Sequence, residues 1–99
     1  MDTPQVNPKQ LSIIIPLSDY LGQSEEDAIQ IAGVHFTQVI PIQNHIINYF
    51  MDETPWTKVE QSLIIIDSRK YDKIGIGALQ DDGSVKKFTF CFDITDTFT

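Results

Sequence analysis

Cysteine is almost missing from this chain. Cys91 is the only one in 99 residues, so no intramolecular disulfide can form, and the usage fits a reducing compartment. Basic residues are scarce too: seven lysines and arginines stand against 14 aspartates and glutamates, giving a formal net charge of -7. A generic nucleic-acid binder neutralises phosphates with a basic footprint. Only Lys70 to Lys73 and Lys86-Lys87 offer one here, which disfavours direct nucleic-acid contact and binding to anionic membranes. No apolar run approaches the ~18 residues of a membrane span. The opening stretch Met-Asp-Thr-Pro-Gln-Val-Asn-Pro-Lys-Gln has no apolar core of a secretion signal. The expectation is a soluble cytoplasmic protein.

Motifs that carry chemistry are equally sparse. A zinc site needs three or four converging ligands, usually with short local pairs. His35 and His45 are ten positions apart and Cys91 stands alone, so structural roles account for all three. Cys91 beside either histidine lacks any local signature of an activated nucleophile. Gly75-Ile76-Gly77 resembles part of a phosphate-binding loop, but the strand pattern runs straight through it and no helix opens after it. Asp67, Asp72, Asp81, Asp82, Asp93 and Asp96 read as turn and strand-end acids with no EF-hand spacing. The chain is therefore expected to be no enzyme and to hold no metal or cofactor.

What is present is a core. An apolar fraction of 41% with 10% aromatics argues for a globular chain. The expectation is a mobile arm over residues 1–10, a single domain over 11–94 and a frayed end over 95–99. Val59 to Ile94 organises that domain as three consecutive strands, an antiparallel meander. In Phe88-Thr89-Phe90-Cys91-Phe92 the large apolar residues alternate, as Ile74, Ile76 and Ala78 do against Lys73, Gly75 and Gly77. A three-residue Asp81-Asp82-Gly83 turn, with Gly83 left-handed, pairs Ile76 with Phe88 and Ile74 with Phe90, so that one face is apolar. A two-residue turn would put isoleucines and phenylalanines on opposite faces, and burial selects against it. Gly75 and Gly77 mark either relief of twist or close approach by another backbone. Leu63-Ile64-Ile65-Ile66 shows no alternation and reads as a central strand buried on both faces.

Ahead of the meander, Leu11 to Ile15 reads as a short strand stopped by Pro16, at an edge or a strand end. Ser24-Glu25-Glu26-Asp27 has the capping residue and acids of a helix start, and Ala28, Ile29, Ala32 and Phe36 follow at helical spacing. Gly33 leaves residues 34–40 open between continued helix and extended chain, with the helix favoured. Pro41 begins a second helix through Asp52. Ile42, Ile46, Tyr49 and Phe50 lie on its apolar side, extended by Ile47 and Met51, against a narrow polar face of Asn44, His45, Asn48 and Asp52. The fold class expected is α+β in the order β-α-α-β-β-β, a mainly antiparallel sheet with two helices packed on one face.

This pattern points to a non-catalytic acidic module that occupies a partner protein's surface, as inhibitors, immunity proteins, antitoxins, phage counter-defence proteins and adaptors do. A basic partner suits the charge, and a homodimer is compatible with it. Trp56, beside a proline in a loop, is the residue whose type most favours recognition. Ile47, Met51 and the acidic pair Asp81 and Asp82 complete the candidate contact set. Two other classes compete. One is a small-molecule-binding or enzymatic domain with a pocket between sheet and helices, using His35, His45 or Tyr49. The other is a DNA mimic.

Overall fold

A computed structural model describes residues 11–15 and 25–98. Its elements are β1 (Ser12–Ile14), β2 (Ile29–Ala32), α1 (Val39–Met51), β3 (Trp56–Ile66), β4 (Arg69–Leu79) and β5 (Val85–Asp93), with single 3-10 turns at Glu25–Asp27 and Phe36–Gln38. The strands form one sheet in the order β1-β2-β5-β4-β3. All neighbours are antiparallel except β2 and β5, which run parallel. The class is α+β as expected, but the sheet is mixed and, among the described residues, a single α-helix covers it.

The meander has the register that burial selects. Ile74 pairs with Phe90, Ile76 with Phe88, Gly75 with Thr89 and Gly77 with Lys87. The Gln80 N–H donates to the Ser84 carbonyl and the Gly83 N–H donates back to the Gln80 carbonyl, which leaves Asp81-Asp82-Gly83 as the loop, and Gly83 sits at φ +86°. Ile74, Ile76, Phe90 and Phe92 meet Val39, Ile46 and Ile47 of α1 and Ile29 and Ile31 of β2 in one core.

The first expected helix is a correction. Ser24 lies outside the described residues, and Glu25–Asp27 makes one 3-10 turn before the chain extends into β2. Ile29 and Ile31 are fully buried while Gln30 and Ala32 are only partly so, a period of two rather than 3.6. Pairing with β5 places these isoleucines over the same apolar face as Phe92, which outweighs the local helical spacing. Gly33, at φ +77°, ends the strand. Residues 34–40 then divide between the two options: His35 is extended and bridges Phe98, Phe36–Gln38 make a 3-10 turn, and α1 starts at Val39. Pro41 falls in the first turn of α1, where its missing N–H costs nothing.

After β5 the chain runs beside the segment that follows β2: Asp96 O accepts from the Gly33 N–H, Phe98 O from the Phe36 N–H, and the Phe98 N–H donates to Val34 O. One further expectation changes. Leu63 to Ile66 is not central, because β3 closes the sheet as its outermost strand. The reason is one of reach. Thirteen residues of α1 span about 20 Å, whereas eleven residues of β3 span about 36 Å. The side-chain contacts of α1 run from Trp56, bonded to Asn48, to Asp72, bonded to Gln43. The β3–β4 hairpin beyond Asp72 extends past the helix, and its apolar side chains stay uncovered.

Candidate functional site

On the face of the sheet away from α1, β4 presents glycine at 75 and 77. A Cβ on Gly75 would lie 2.6 Å from Cγ of Glu60, and one on Gly77 would lie 3.0 Å from Cγ1 of Val85. The close approach is therefore made by neighbouring side chains rather than by another backbone. Glu60 crosses Gly75 to pair with Lys87 at 3.1 Å, an exposed bridge that adds little stability. At Gly77 the missing side chain leaves an open groove of about 290 Å³. Pro55, Trp56, Thr57 and Val59 line one side, Gly77 and Leu79 the floor, and Val85 the other side. The lining is almost wholly apolar, and Leu79 and Val85 face solvent substantially, at 48% and 68% exposure.

Leu79 and Val85 are paired across the last rung before the Asp81-Asp82-Gly83 turn. The apolar groove and the acidic turn are thus neighbours by construction. Asp82 accepts hydrogen bonds from the Ser84 hydroxyl and backbone N–H, and these hold its carboxyl below the usual carboxylate range. It is a fixed negative charge at neutral pH.

The sequence-derived contact set divides here. Trp56 lines the groove, and Asp81 and Asp82 lie in the turn just past its Leu79–Val85 rung. Trp56 also donates its indole N–H to Asn48 Oδ1 at 2.7 Å and packs half-buried against the core. Ile47 is fully enclosed in that core, and Met51 packs half-buried on it, so Ile47 presents no surface to a partner. Pro55, Val59, Leu79 and Val85 were not singled out in the sequence. The signal for them was Gly77, whose outward face follows from the register once the three-residue turn is chosen.

The residues considered for catalysis lie apart from this groove. His35 caps the Phe36–Gln38 turn, its Nδ1 accepting from the Thr37 N–H, and its ring lies edge-on to Phe98. His45 and Tyr49 are exposed on α1. Cys91 is fully enclosed, and burial pushes its thiol up to about 11, so it stays protonated at neutral pH. Among the described residues no three His, Cys, Asp or Glu are placed to hold a metal ion, and no helix is long and apolar enough to cross a membrane.

Two polar clusters tie elements together. Asp72, buried on the helix side, accepts from Nε2 of Gln43 and Nε2 of Gln61, each at 2.8 Å, which joins α1, β4 and β3. Among the described residues Gln43 Oε1 has no hydrogen-bond partner. Arg69 binds Asp93 at 2.8 Å and Asp96 at 3.4 Å, and Gln30 also donates to Asp96, which fastens the C-terminal residues to the sheet. No protein-family model matches this chain, and no curated protein or solved structure matches it.

Proposed function

We propose that the protein is a non-catalytic, acidic protein-binding module that takes an apolar side chain of a basic partner segment into the groove over Gly77. The observation that carries the reading is the adjacency of an apolar groove to the acidic Asp81-Asp82 turn. At about 290 Å³ the groove lies at the lower edge of the ~300–1,000 Å³ typical of sites that enclose a drug-sized ligand, and it is open to solvent. Such a shallow apolar groove suits one or two side chains. Desolvating an apolar anchor supplies affinity, while acidic groups at the rim favour Lys or Arg beside it and repel acidic competitors. Acting by occupying a partner's surface requires no catalytic group, which agrees with a buried, protonated Cys91 and a His35 engaged as a cap.

Selection of random peptides displayed against the full chain tests this. The expected enrichment is one bulky apolar residue flanked by Lys or Arg, lost when selection uses Val85→Glu. Val85 is exposed, so this variant keeps the fold. Enrichment of acidic peptides, or of peptides that bind Val85→Glu equally well, would sink the proposal.

A further inference from the structure

The sheet has two outer strands, β1 with three residues and β3 with eleven. An outer strand presents unpaired N–H and C=O groups, which proteins blunt with bulges, charges or proline. In β3 those devices occupy only the first half: a bulge between Lys58 and Glu60, and the two charges themselves. From Gln61 to Ile66 the ladder to β4 is regular, and the segment contains no charge, proline or glycine. Both of its faces are apolar. Leu63 and Ile65, opposite Asp72 and Lys70 on the helix side, are 60% and 64% exposed, and Ile66 on the other face is 43% exposed. Among the described residues nothing pairs with this side of β3.

We infer that β3 is the interface of a homodimer, two copies pairing antiparallel about a two-fold axis at Leu63. Directly opposite residues share a face, so only registers that match the faces of Gln61 to Ile66 are allowed. Centring on Leu63 sets Ser62 opposite the second copy's Ile64, Gln61 opposite its Ile65, and Glu60 opposite its Ile66. Val59 is the extra residue of the bulge, since Lys58 pairs with Ile76 and Glu60 with Gly75. The next residue across is therefore Lys58, opposite the second copy's Asp67. Two Lys58–Asp67 pairs then close the two ends of the interface. Neither residue belongs to an ion pair among the described residues of one copy. Centring on Ser62 or on Ile64 leaves both charges unmatched, with Lys58 opposite Ile65 or Asp67 opposite Gln61.

A second copy fits this strip better than a charged stranger does. Leu63 meets its own copy at the axis, Ile64 and Ile65 reach the second copy's Ile64 and Leu63 as diagonal neighbours, and the end charges are complementary. The overall acidity is no obstacle: residues 56–98 hold six basic against seven acidic residues, while the rest of the chain holds one against seven. The pairing uses the strand's open side and does not depend on the groove.

Sedimentation velocity of the full chain from about 1 to about 200 µM tests the inference, since small interfaces fall in this affinity range. The expected result is a reversible dimer. Leu63→Lys, an exposed position, places two like charges at the axis and should leave only monomer, with an unchanged circular dichroism spectrum. Lys58→Asp or Asp67→Lys alone should raise the dissociation constant about tenfold, because two rim pairs are lost at once. The double variant should restore it. A monomer throughout the range, open-ended oligomers, or a dimer indifferent to Leu63→Lys would overturn the proposal. Failure of the double variant to recover would overturn the Leu63-centred register. Val85→Glu should leave the dimer intact, and Leu63→Lys should leave peptide binding intact, so failure here and failure of the groove reading are separable.

Discussion

At the scale of single residues, Phe90 and Asp93 show where this small domain keeps its stability. Phe90 is buried between Phe92 and Phe50, with ring centroids 6.4 and 6.1 Å away. Phe90→Ala removes that packing and leaves a cavity, at a cost of about 3–5 kcal/mol. This is a large share of the ~5–15 kcal/mol that holds a domain folded. Chemical denaturation should show that loss, and an unchanged midpoint would mean that the core does not depend on this ring. Asp93 contributes through charge. Burial pushes its carboxyl up, but hydrogen bonds from Arg69 and from Thr95 outweigh burial and leave it below the usual range. A carboxyl lowered in the folded state stabilises above its unfolded value of about 4 and loses that contribution as pH falls through the folded value. Asp93→Asn is therefore expected to be less stable than the wild type at pH 7. The two urea midpoints should converge as pH falls through the lowered Asp93 value.

Elements are where sequence and structure part company. The β4–β5 hairpin was legible residue by residue because its two strands are adjacent in sequence and alternate cleanly, so that burial decides between the two turns available. The expected helix over residues 24–36 failed for the opposite reason. A four-residue strand gives just two buried positions, Ile29 and Ile31, and its ladder partner, Phe92 and Asp93, lies more than sixty residues away. The acids at Glu25–Asp27 suited a helix start, yet Glu25 instead reaches Lys73 of β4 at 3.2 Å. Leu63 to Ile66 misled because an unbroken apolar run ordinarily means burial on both faces, and the reach of α1 was not written in that run. The groove was half legible: Gly77, Trp56 and the acidic pair were in view, but their adjacency follows from β3 pairing in a bulged register that the strand pattern does not announce. What α1 does hold is set by the Gln43–Asp72–Gln61 bonds. Asp72→Leu leaves the buried Gln43 amide without its acceptor and should cost about 1–3 kcal/mol. Replacing Gln43 and Asp72 together by leucine removes both polar partners, and Gln61 is exposed enough to turn to water. A double-mutant cycle should therefore show the pair to be less costly than Asp72→Leu alone. Simple additivity would mean the two side chains are not coupled.

For the whole molecule the deciding quantity is how charge and apolar surface divide the work of binding. For the proposed basic partner, a net charge of -7 would act from a distance, but at physiological salt the field fades beyond about 8 Å, so local acids matter most. Asp81 and Asp82 stand beside the groove and carry two of the fourteen acidic charges. Changing both to Asn should slow association with a selected basic–apolar peptide and flatten the dependence of the on-rate on salt, with little effect on the off-rate. Val85→Ser removes apolar wall without touching charge, so it should raise the off-rate and leave the salt dependence as it was. Trp56→Ala would raise the off-rate as well, but it also breaks the bond to Asn48 and opens the core, so Val85 is the cleaner probe. Stopped-flow measurements at low and at physiological ionic strength separate these effects. If neutralising the turn changes the off-rate alone, the acids contact the peptide directly, and the division of roles between rim and groove is wrong.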